Sequence, residues 1–258
     1  MHESSAQKPH RNDAWHQLRR WTFRRFHPAK FAVLQKKRGT FDLHQCIFVH
    51  IPKCAGISVA KSLFGDFECG HASLRRYQVM FGPEEFNRYF KFTIVRNPFD
   101  RLVSAFLFLK QGGLHEKDKR WADRELSRFD TFDAFVKGWV NSHNVVRALH
   151  FRPQSHFICL AKDRPGLDFI AYYENLSEDF ARIARQLKLD ATLQKLNRNY
   201  TRNRDYREYY TPESRAIVAK VFADDLRLFG YSFDNTDLPN QLASSGMSAF
   251  NSMSQNHS

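Results

Sequence analysis

The sequence predicts an α/β fold, a P-loop-like parallel sheet flanked by helices in a single domain. Two short and largely apolar runs are present, Cys46–Ile51, which is followed by Pro52, and Phe90–Arg96, which is followed by Asn97-Pro98. Each is followed by helical spacing, at Ile57–Gly65 and at Phe99–Gly113. Such runs are typical of buried strands, and strands that alternate with helices form parallel sheets with right-handed crossovers. The 258 residues are enough for one domain with tails.

The second half of the chain continues the alternation. Phe129–Val140 has helical spacing, and Asp168–Leu176 opens as a strand. Ser177–Leu189 begins with Ser and has an acidic first turn, which predicts a capped helix.

The last predicted element is one long helix over Thr211–Phe233. Thr211 is its predicted N-cap, Pro212 its first residue and Gly230 its end. These signals place the end of the folded domain close to residue 235.

Charge and composition divide the chain into three parts. Residues 1–40 form a basic aromatic arm, residues 41–235 carry the alternating pattern, and residues 236–258 are rich in Ser, Asn and Gln and are predicted to be disordered. The net charge of +13 indicates an anionic partner, whether nucleic acid, a membrane surface, a glycan or a nucleotide cofactor.

The arm concentrates much of this charge. It holds ten Lys or Arg against Glu3 and Asp13, a net charge of +8, and Ala14–Phe26 is predicted to form a short basic amphipathic helix before Pro28. Two interpretations stay open. The arm is either a solvated segment that packs a few aromatic side chains on the domain, or a contact for a membrane surface or a polyanion.

Composition also excludes some classes of protein. Apolar residues make up 42% of the chain and Phe supplies 25 positions, so a wholly disordered chain is excluded. No apolar run reaches the roughly 18 residues of a membrane span, and the first 30 residues lack the apolar core of a signal peptide. The four cysteines have no C-x-x-C spacing, which predicts free thiols in a reducing compartment and no metal site.

The most informative stretch is Phe48–Ser58, in which a strand runs through Pro52 and Lys53 into a helix. Ala55 and Gly56 are small enough for a phosphate to approach the backbone, and Lys53 adds a full positive charge. A helix N-terminus binds anions readily, so the stretch predicts a phosphate-binding loop. It is not the Walker pattern, because Lys precedes the glycine, and an ordinary tight turn stays an alternative.

A second such unit spans Phe92–Phe106. Arg96 ends a buried strand, where a charge is costly unless an anionic group meets it. Arg101 and Ser104 share one face of the following helix, so Arg96 and Ser104 are candidates to hold one phosphate between them. A structural ion pair for Arg96 with an exposed Ser104 is the alternative.

The segments HIPKCAGIS and VRNPFDRLVSAF resemble the two signature motifs of the sulfotransferases that use 3′-phosphoadenosine-5′-phosphosulfate (PAPS), in the branch that modifies carbohydrates. The family's first motif reads close to I-P-K-T-A-G-T-S and its second close to R-N-P-x-x-R-x-x-S. The resemblance covers about residues 44–233 and extends to His150–Ile158, Asp168–Phe180 and Asp205–Phe233.

The resemblance implies a role for each matching residue. The 5′-phosphosulfate would be held by Lys53, Cys54, Ala55, Gly56, Ile57 and Ser58. Lys53 would also stabilise charge on the bridging oxygen, and Arg96 and Ser104 would hold the 3′-phosphate. Cys54 and Ile57 stand where Thr is common, which predicts weaker or altered donor contacts. In the basic stretch 195–207, Arg198 and Arg202 would contact phosphate, unless that loop is merely solvated.

Sulfuryl transfer also needs a base for the acceptor hydroxyl, and twelve histidines compete for the role. The resemblance favours His71, because family members often carry a His before the second strand; a surface or capping role is the alternative. His50 is expected to support the loop, while His150 and His156 are candidates to line the acceptor cleft. Glu174 is expected to stabilise the fold.

The sequence therefore favours a sulfotransferase that acts on a carbohydrate or glycan by in-line displacement and needs no metal. Two alternatives are a P-loop-type nucleotide kinase or NTPase and a basic nucleic-acid-binding protein. The first would need a Lys where Ile57 stands. A nucleic-acid-binding protein would leave unexplained the two strand–helix turns that are suited to bind anions, and no specific nucleic-acid motif stands out. The expected location is cytoplasmic, with a peripheral membrane contact through residues 1–40 as an option; the oligomeric state stays open.

Overall fold

A three-stranded parallel sheet lies at the centre of the structure, a computed structural model that describes residues 11–194 and 204–235. In chain order the helices and strands are α1 (Arg11–Phe26), α2 (Pro28–His44), β1 (Cys46–Val49), α3 (Gly56–Phe64), α4 (Leu74–Met80), α5 (Pro83–Arg88), β2 (Phe90–Val95), α6 (Pro98–Lys110), α7 (Glu116–Glu125), α8 (Phe132–Trp139), α9 (Ser142–Arg147), α10 (Ser155–Ile158), β3 (Cys159–Ala161), β4 (Arg164–Pro165), β5 (Phe169–Tyr172), α11 (Leu176–Gln186), α12 (Pro212–Val221) and α13 (Ala223–Phe229).

The sheet has the order β1-β2-β5, with every neighbouring pair parallel. Phe48 pairs with Phe92, which pairs with Phe169 on the other side. Helices α3 to α5 connect β1 to β2, and a longer helical connection that includes the β3-β4 hairpin leads from β2 to β5. The prediction of a single-domain α/β fold with a parallel sheet flanked by helices is confirmed.

Two capping signals that the sequence carried are present. Asn97 precedes α6 and its side chain accepts a hydrogen bond from the Phe99 amide at 3.0 Å, with Pro98 as the first helical residue. Thr211 caps α12 by accepting from the Ser214 amide at 3.3 Å. Both caps satisfy an amide that the helix itself leaves unpaired, which fixes where each helix begins.

Two predictions about helices are wrong. The long helix predicted from Thr211 to Phe233 is two helices, because the backbone of the buried Phe222 is not helical (φ −107°, ψ 24°). Ser177 does not cap α11, which begins one residue earlier, after Asn175. No Gly or Pro marks the break at Phe222, so tertiary packing rather than local chemistry places it.

The buried apolar residues form two clusters. The first surrounds the sheet, and the second is rich in aromatic rings from α6 and α8. The chain passes from one to the other between Val95 and Phe99, through the loop that follows β2. The carboxyl end of the sheet therefore lies where the two clusters meet.

The predicted N-terminal arm is helical where it is described, and α2 continues across residue 40 into the domain. Leu34 and Phe41 of α2 are buried, and Phe23 and Phe31 pack against the first cluster. These contacts correspond to the interpretation in which arm aromatics pack on the domain. Residues 1–10 and the predicted disordered tail, 236–258, lie outside the described residues.

The four cysteines are free thiols, three of them buried and Cys159 half-buried. In the described part of the chain, no helix combines the length and apolar character that crossing a membrane requires.

Candidate active site

The loops that follow β1 and β2 line one cavity of about 230 Å³ at the carboxyl end of the sheet. Of the residues singled out from the sequence, the cavity brings together Lys53, Ala55, Gly56, Ile57, Ser58, His71, Arg96 and Ser104. His50, Phe108, His150 and Tyr173 complete much of its wall. Arg198 and Arg202 lie outside the described residues.

The first loop holds an unusual backbone conformation. Lys53 (φ 70°) and Ala55 (φ 58°) both lie in the left-handed region, which residues with a Cβ seldom adopt. Strain of this kind persists where the surrounding structure enforces it, and it is frequent at functional sites. The two turns carry the chain abruptly from β1 into α3, so that the first residues of α3 border the cavity. The amides of a first helical turn have no acceptor within the helix and are available to an anion.

A close contact, which the sequence did not reveal, explains why position 56 is glycine. A Cβ added there would lie 1.9 Å from Cδ2 and 2.3 Å from Nε2 of His50. The His50 ring is buried and stacks on Phe48, with ring centroids 5.8 Å apart. Glycine is therefore required for the His50 ring to fit beneath the loop, and the prediction that His50 supports the loop agrees with this contact.

Lys53 carries its charge into the cavity. Its Nζ lies 3.8 Å from the centre of the Phe108 ring, a cation–π contact. Burial, together with the positive charge of Arg96, lowers the pKa of Lys53 to about 8. The amine is thus still mainly protonated at neutral pH, while an incoming anion would favour its charged form further.

Arg96 serves the fold and lines the cavity at once. Its Nε donates to Asp100 Oδ2 at 2.7 Å and its Nη1 to the Lys53 carbonyl at 3.0 Å, while the guanidinium stacks 4.1 Å over the Tyr173 ring. The structural ion pair considered from the sequence is therefore present. Among the described residues no hydrogen bond engages Nη2, which leaves one edge of the guanidinium for a ligand in the cavity.

His71 is held in one tautomer. Its Nδ1 lies 3.0 Å from the backbone carbonyl oxygen of His50. Since a carbonyl only accepts, Nδ1 carries the proton and Nε2 of the neutral ring is left as a proton acceptor. Burial lowers the pKa of His71 to about 4, so the ring is neutral at pH 7. This is the state that a general base requires.

Cys54 does not reach the cavity with its side chain. The thiol is buried and lies 3.4 Å from Gln154 Oε1, and burial raises its pKa to about 12. The side chain that stands at a common Thr position therefore faces the interior. Ile57, at the other such position, is exposed at the cavity wall.

Gln154 connects the two loops, a role that sequence reasoning missed. Its amide group accepts from the Arg96 N–H and donates to the Arg96 carbonyl, both at 2.9 Å, in addition to its contact with Cys54. The backbone amides of Gln154 and Ser155 donate to the fully buried Asp225, at 2.6 and 2.9 Å. One buried network thus sets the spacing between the ends of β1 and β2.

Arg101 is a second connection that the sequence left unassigned beyond its helix face. The side chain is fully buried and donates to the carbonyls of His150 at 3.2 Å and Arg152 at 2.7 Å, with a longer contact to Pro52 at 3.5 Å. A guanidinium that binds carbonyls on both segments fixes the first loop relative to the chain around residue 150.

His150 and Asp118 add a pair beside the predicted base. His150 Nε2 lies 3.1 Å from Asp118 Oδ1, and the His150 ring centroid is 6.3 Å from that of His71. Burial by itself would raise the pKa of Asp118, but the hydrogen bonds from His150 and from the Leu114 amide lower it to about 2. No sequence signal distinguished Asp118.

A larger cavity of about 690 Å³ adjoins this pair. It is lined by α7 and the segment around residue 150, including Arg120, Trp121, Arg147 and His150. His150 belongs to the walls of both cavities. His156, in contrast, borders a separate depression of about 270 Å³ that it shares with His71.

Glu174 has the structural role expected of it. Its two carboxylate oxygens accept hydrogen bonds from the Asn97 amide at 2.8 Å and the Tyr231 hydroxyl at 2.7 Å. Burial raises its pKa. Within residues 11–194 and 204–235, His, Cys, Asp and Glu form no group of three or more that could hold a metal ion.

Comparison with known proteins gives two matches. A family model described as "Sulfotransferase family" matches residues 40–232, which include both loops and His71. A protein of Archaeoglobus fulgidus described as "Uncharacterized protein" is 32% identical over 113 residues, which span 43% of this chain and 78% of that protein. No solved structure matches the chain significantly.

Proposed function

The chain belongs to the sulfotransferase family, and we propose that it transfers the sulfuryl group of PAPS to a hydroxyl of a carbohydrate acceptor. One observation carries the proposal: a single cavity holds the α3 N-terminus, the cations of Lys53 and Arg96, and a neutral histidine whose Nε2 can accept a proton. Anion binding and proton abstraction are the two tasks that this transfer requires of a protein.

The residues present fit an anionic donor of two phosphate-type groups. The start of α3, from Gly56 to Ser58, and the Lys53 ammonium would hold the 5′-phosphosulfate, while Arg96 and the Ser104 hydroxyl would hold the 3′-phosphate. When bound, the donor supplies a sulfuryl group on a phosphosulfate linkage whose leaving group is adenosine 3′,5′-bisphosphate.

Lys53 provides charge where it is needed during the transfer. Its ammonium lies in a partly desolvated cavity against the Phe108 ring, where electrostatic interactions are stronger than in water. A positive charge fixed there stabilises negative charge on the departing phosphate oxygen without further reorganisation. The Arg96–Lys53 carbonyl hydrogen bond orients the residue that carries this ammonium.

His71 acts as the base in this proposal. The His50 carbonyl holds the proton on Nδ1, so Nε2 takes the proton of the acceptor hydroxyl as that oxygen attacks sulfur. The same residue, His50, packs its ring beneath Gly56. The base and the anion-binding loop therefore share one support, which keeps their separation constant.

The 690 Å³ cavity is the proposed acceptor site. It adjoins the base through His150, and Trp121 gives it an apolar wall while Arg120 and Arg147 give it donors. Ligand sites commonly combine an apolar surface with a few polar groups, and a sugar ring has an apolar face and a hydroxylated rim that suit such a lining.

Thermal denaturation with two nucleotides tests the proposal. Adenosine 3′,5′-bisphosphate at about 100 times its Kd should stabilise the protein by about 2.7 kcal/mol, a rise in Tm of about 5–10 °C, and ADP should do much less because it lacks the 3′-phosphate. Ser104→Ala should shrink the difference between the nucleotides, and Ser127→Ala, at an exposed position, is the matched control. Equal shifts for both nucleotides would contradict the assignment and favour an ADP- or ATP-binding enzyme.

Transfer itself is tested with labelled PAPS and a panel of glycan acceptors. The expected result is label on at least one glycan in the wild-type protein and none with Lys53→Ala. Nucleotide binding without transfer to any carbohydrate, but with transfer to a phenol or an amine, would overturn the carbohydrate part of the proposal while leaving sulfuryl transfer intact.

A further inference from the structure

Helix α1 presents an apolar stripe to solvent. Trp15, Leu18, Thr22 and Phe26 are spaced so that they share one face of the helix. Trp15 is 64% exposed, Leu18 50% and Phe26 70%. Single exposed apolar residues are ordinary, but several large ones along one face indicate an interaction surface.

The stripe is bordered by positive charge. Residues 15–40 contain eight Lys or Arg and no Asp or Glu. Arg19 and Arg25 flank the stripe, and neither forms an ion pair with any residue of the described ranges. A groove of about 670 Å³ between α1 and α2 adds Arg20 and Arg24 beside Trp21.

A neighbouring face of α1 holds the helix to the domain. The Phe23 ring packs edge-on against Phe31 of α2 with centroids 6.1 Å apart, and both rings pack against the cluster that surrounds the sheet. The exposed face is thus displayed by an anchored element. Its role is separate from the active-site cavity, to which α1 contributes no residue.

We propose that this face of α1 docks on the surface of an anionic lipid bilayer. Trp15, Leu18 and Phe26 would enter the headgroup region, and the flanking arginines would meet lipid phosphates. Apolar side chains on one face with arginines beside them are typical of helices that lie in a membrane interface, where aromatic rings are enriched.

Charge and composition favour this partner over two others. A second copy of the chain would bring an equally basic patch against the first, and like charges in contact are costly. A nucleic acid or an anionic glycan would satisfy the arginines but would leave the Leu18 and Phe26 side chains in water. An anionic bilayer surface can accommodate both the apolar side chains and the arginines.

Vesicle flotation with the full chain tests the proposal. The protein should float with vesicles that contain 30% phosphatidylglycerol and remain behind with pure phosphatidylcholine. Trp15→Ser/Leu18→Ser/Phe26→Ser should abolish flotation, while Leu43→Ser, an exposed apolar residue of α2 away from the stripe, should not change it.

A variant with two charge-reversing substitutions measures the electrostatic contribution to vesicle binding. Arg19→Glu/Arg25→Glu should weaken binding to the anionic vesicles by more than 25-fold, from about fivefold for each arginine lost. Lys162→Glu/Lys220→Glu, at two exposed lysines elsewhere, should have little effect.

Three results would overturn the proposal: no flotation with anionic vesicles, equal flotation with neutral ones, or a dimer in light scattering that the triple substitution dissociates. Binding to heparin or DNA through Arg19 and Arg25 in a protein that ignores vesicles would likewise replace it with a polyanion site. Circular dichroism of the triple variant checks that a loss of binding is not a loss of fold.

Discussion

Substituting Gly56 by Ala tests the link between the anion-binding loop and the predicted base. The new methyl group would overlap the His50 ring, since the position of its Cβ is 1.9 Å from Cδ2. The ring has little room to move, because it stacks on Phe48 on one side and lies 4.3 Å, centroid to centroid, from the His71 ring. Either the His50 ring or the start of α3 must shift.

The expected cost follows from this overlap. Forcing extra atoms into a packed interior typically costs about 1–3 kcal/mol. Ala gains up to about 1 kcal/mol over Gly inside a helix, and less at the first helical residue, so the net loss should be about 1–2 kcal/mol. For a chain of this size that is a fall in Tm of about 2–8 °C.

A matched glycine gives the control. Gly39 lies within α2 with nothing within 4 Å of an added Cβ, so Gly39→Ala should raise stability by about 0.5–1 kcal/mol. The same substitution at two helical glycines should therefore change the free energy of unfolding in opposite directions. Urea denaturation of both variants measures the difference, and the thermal shift with adenosine 3′,5′-bisphosphate should be smaller in Gly56→Ala alone.

A double substitution identifies the responsible contact. In a His50→Ala background the methyl group at position 56 has space, so Gly56→Ala should then cost little, with a coupling free energy of about 1–2 kcal/mol. A Gly56→Ala variant as stable as the wild type and with equal nucleotide binding would show that the His50 ring does not require glycine at this position.

The other predictions concern the proposed chemistry and its support. His71→Asn should lower kcat by about 10²–10⁴-fold with an unchanged nucleotide thermal shift; an unchanged rate would exclude His71 as the base. The pH profile of kcat/KM should rise with a pKa of about 4, as His71 loses its proton, and fall with a pKa of about 8, as Lys53 loses its charge; a rise centred near 6.5 would contradict the buried base. Arg101→Met should destabilise the protein by at least about 2 kcal/mol in urea, because two backbone carbonyls lose their donor, whereas Arg185→Met at an exposed site should not.

Much of the fold was predictable because its signals are local. The strand after residue 45 and the strand after residue 89 are short apolar runs, and their helices begin at signals such as Asn97-Pro98. Each signal depends on residues within one or two turns of the chain. The incorrect prediction at Phe222 differs, since an intact helical pattern is interrupted at a buried ring that no neighbouring Gly or Pro marks.

The site divides in the same way. Lys53, Arg96 and Ser104 could be proposed from two short motifs, and the cavity does bring them together. The tautomer of His71 could not be predicted from the sequence, because it depends on a carbonyl 21 residues away in the chain. The low pKa of Asp118 could not be predicted either, because it comes chiefly from the contact with His150, 32 residues away.

By itself, the sequence determined that two buried strands end in anion-ready turns and that the basic charge is concentrated in an N-terminal arm. Only the tertiary structure decided why position 56 must be glycine, that Gln154 connects the two turns, and that Arg101 fixes the first turn relative to the chain around residue 150. Their hydrogen bonds span 58 residues for Gln154 with Arg96 and 51 for Arg101 with Arg152. Caps and periodicity act between neighbours along the chain, whereas a buried polar network exists only once packing has excluded water and brought distant donors and acceptors within reach.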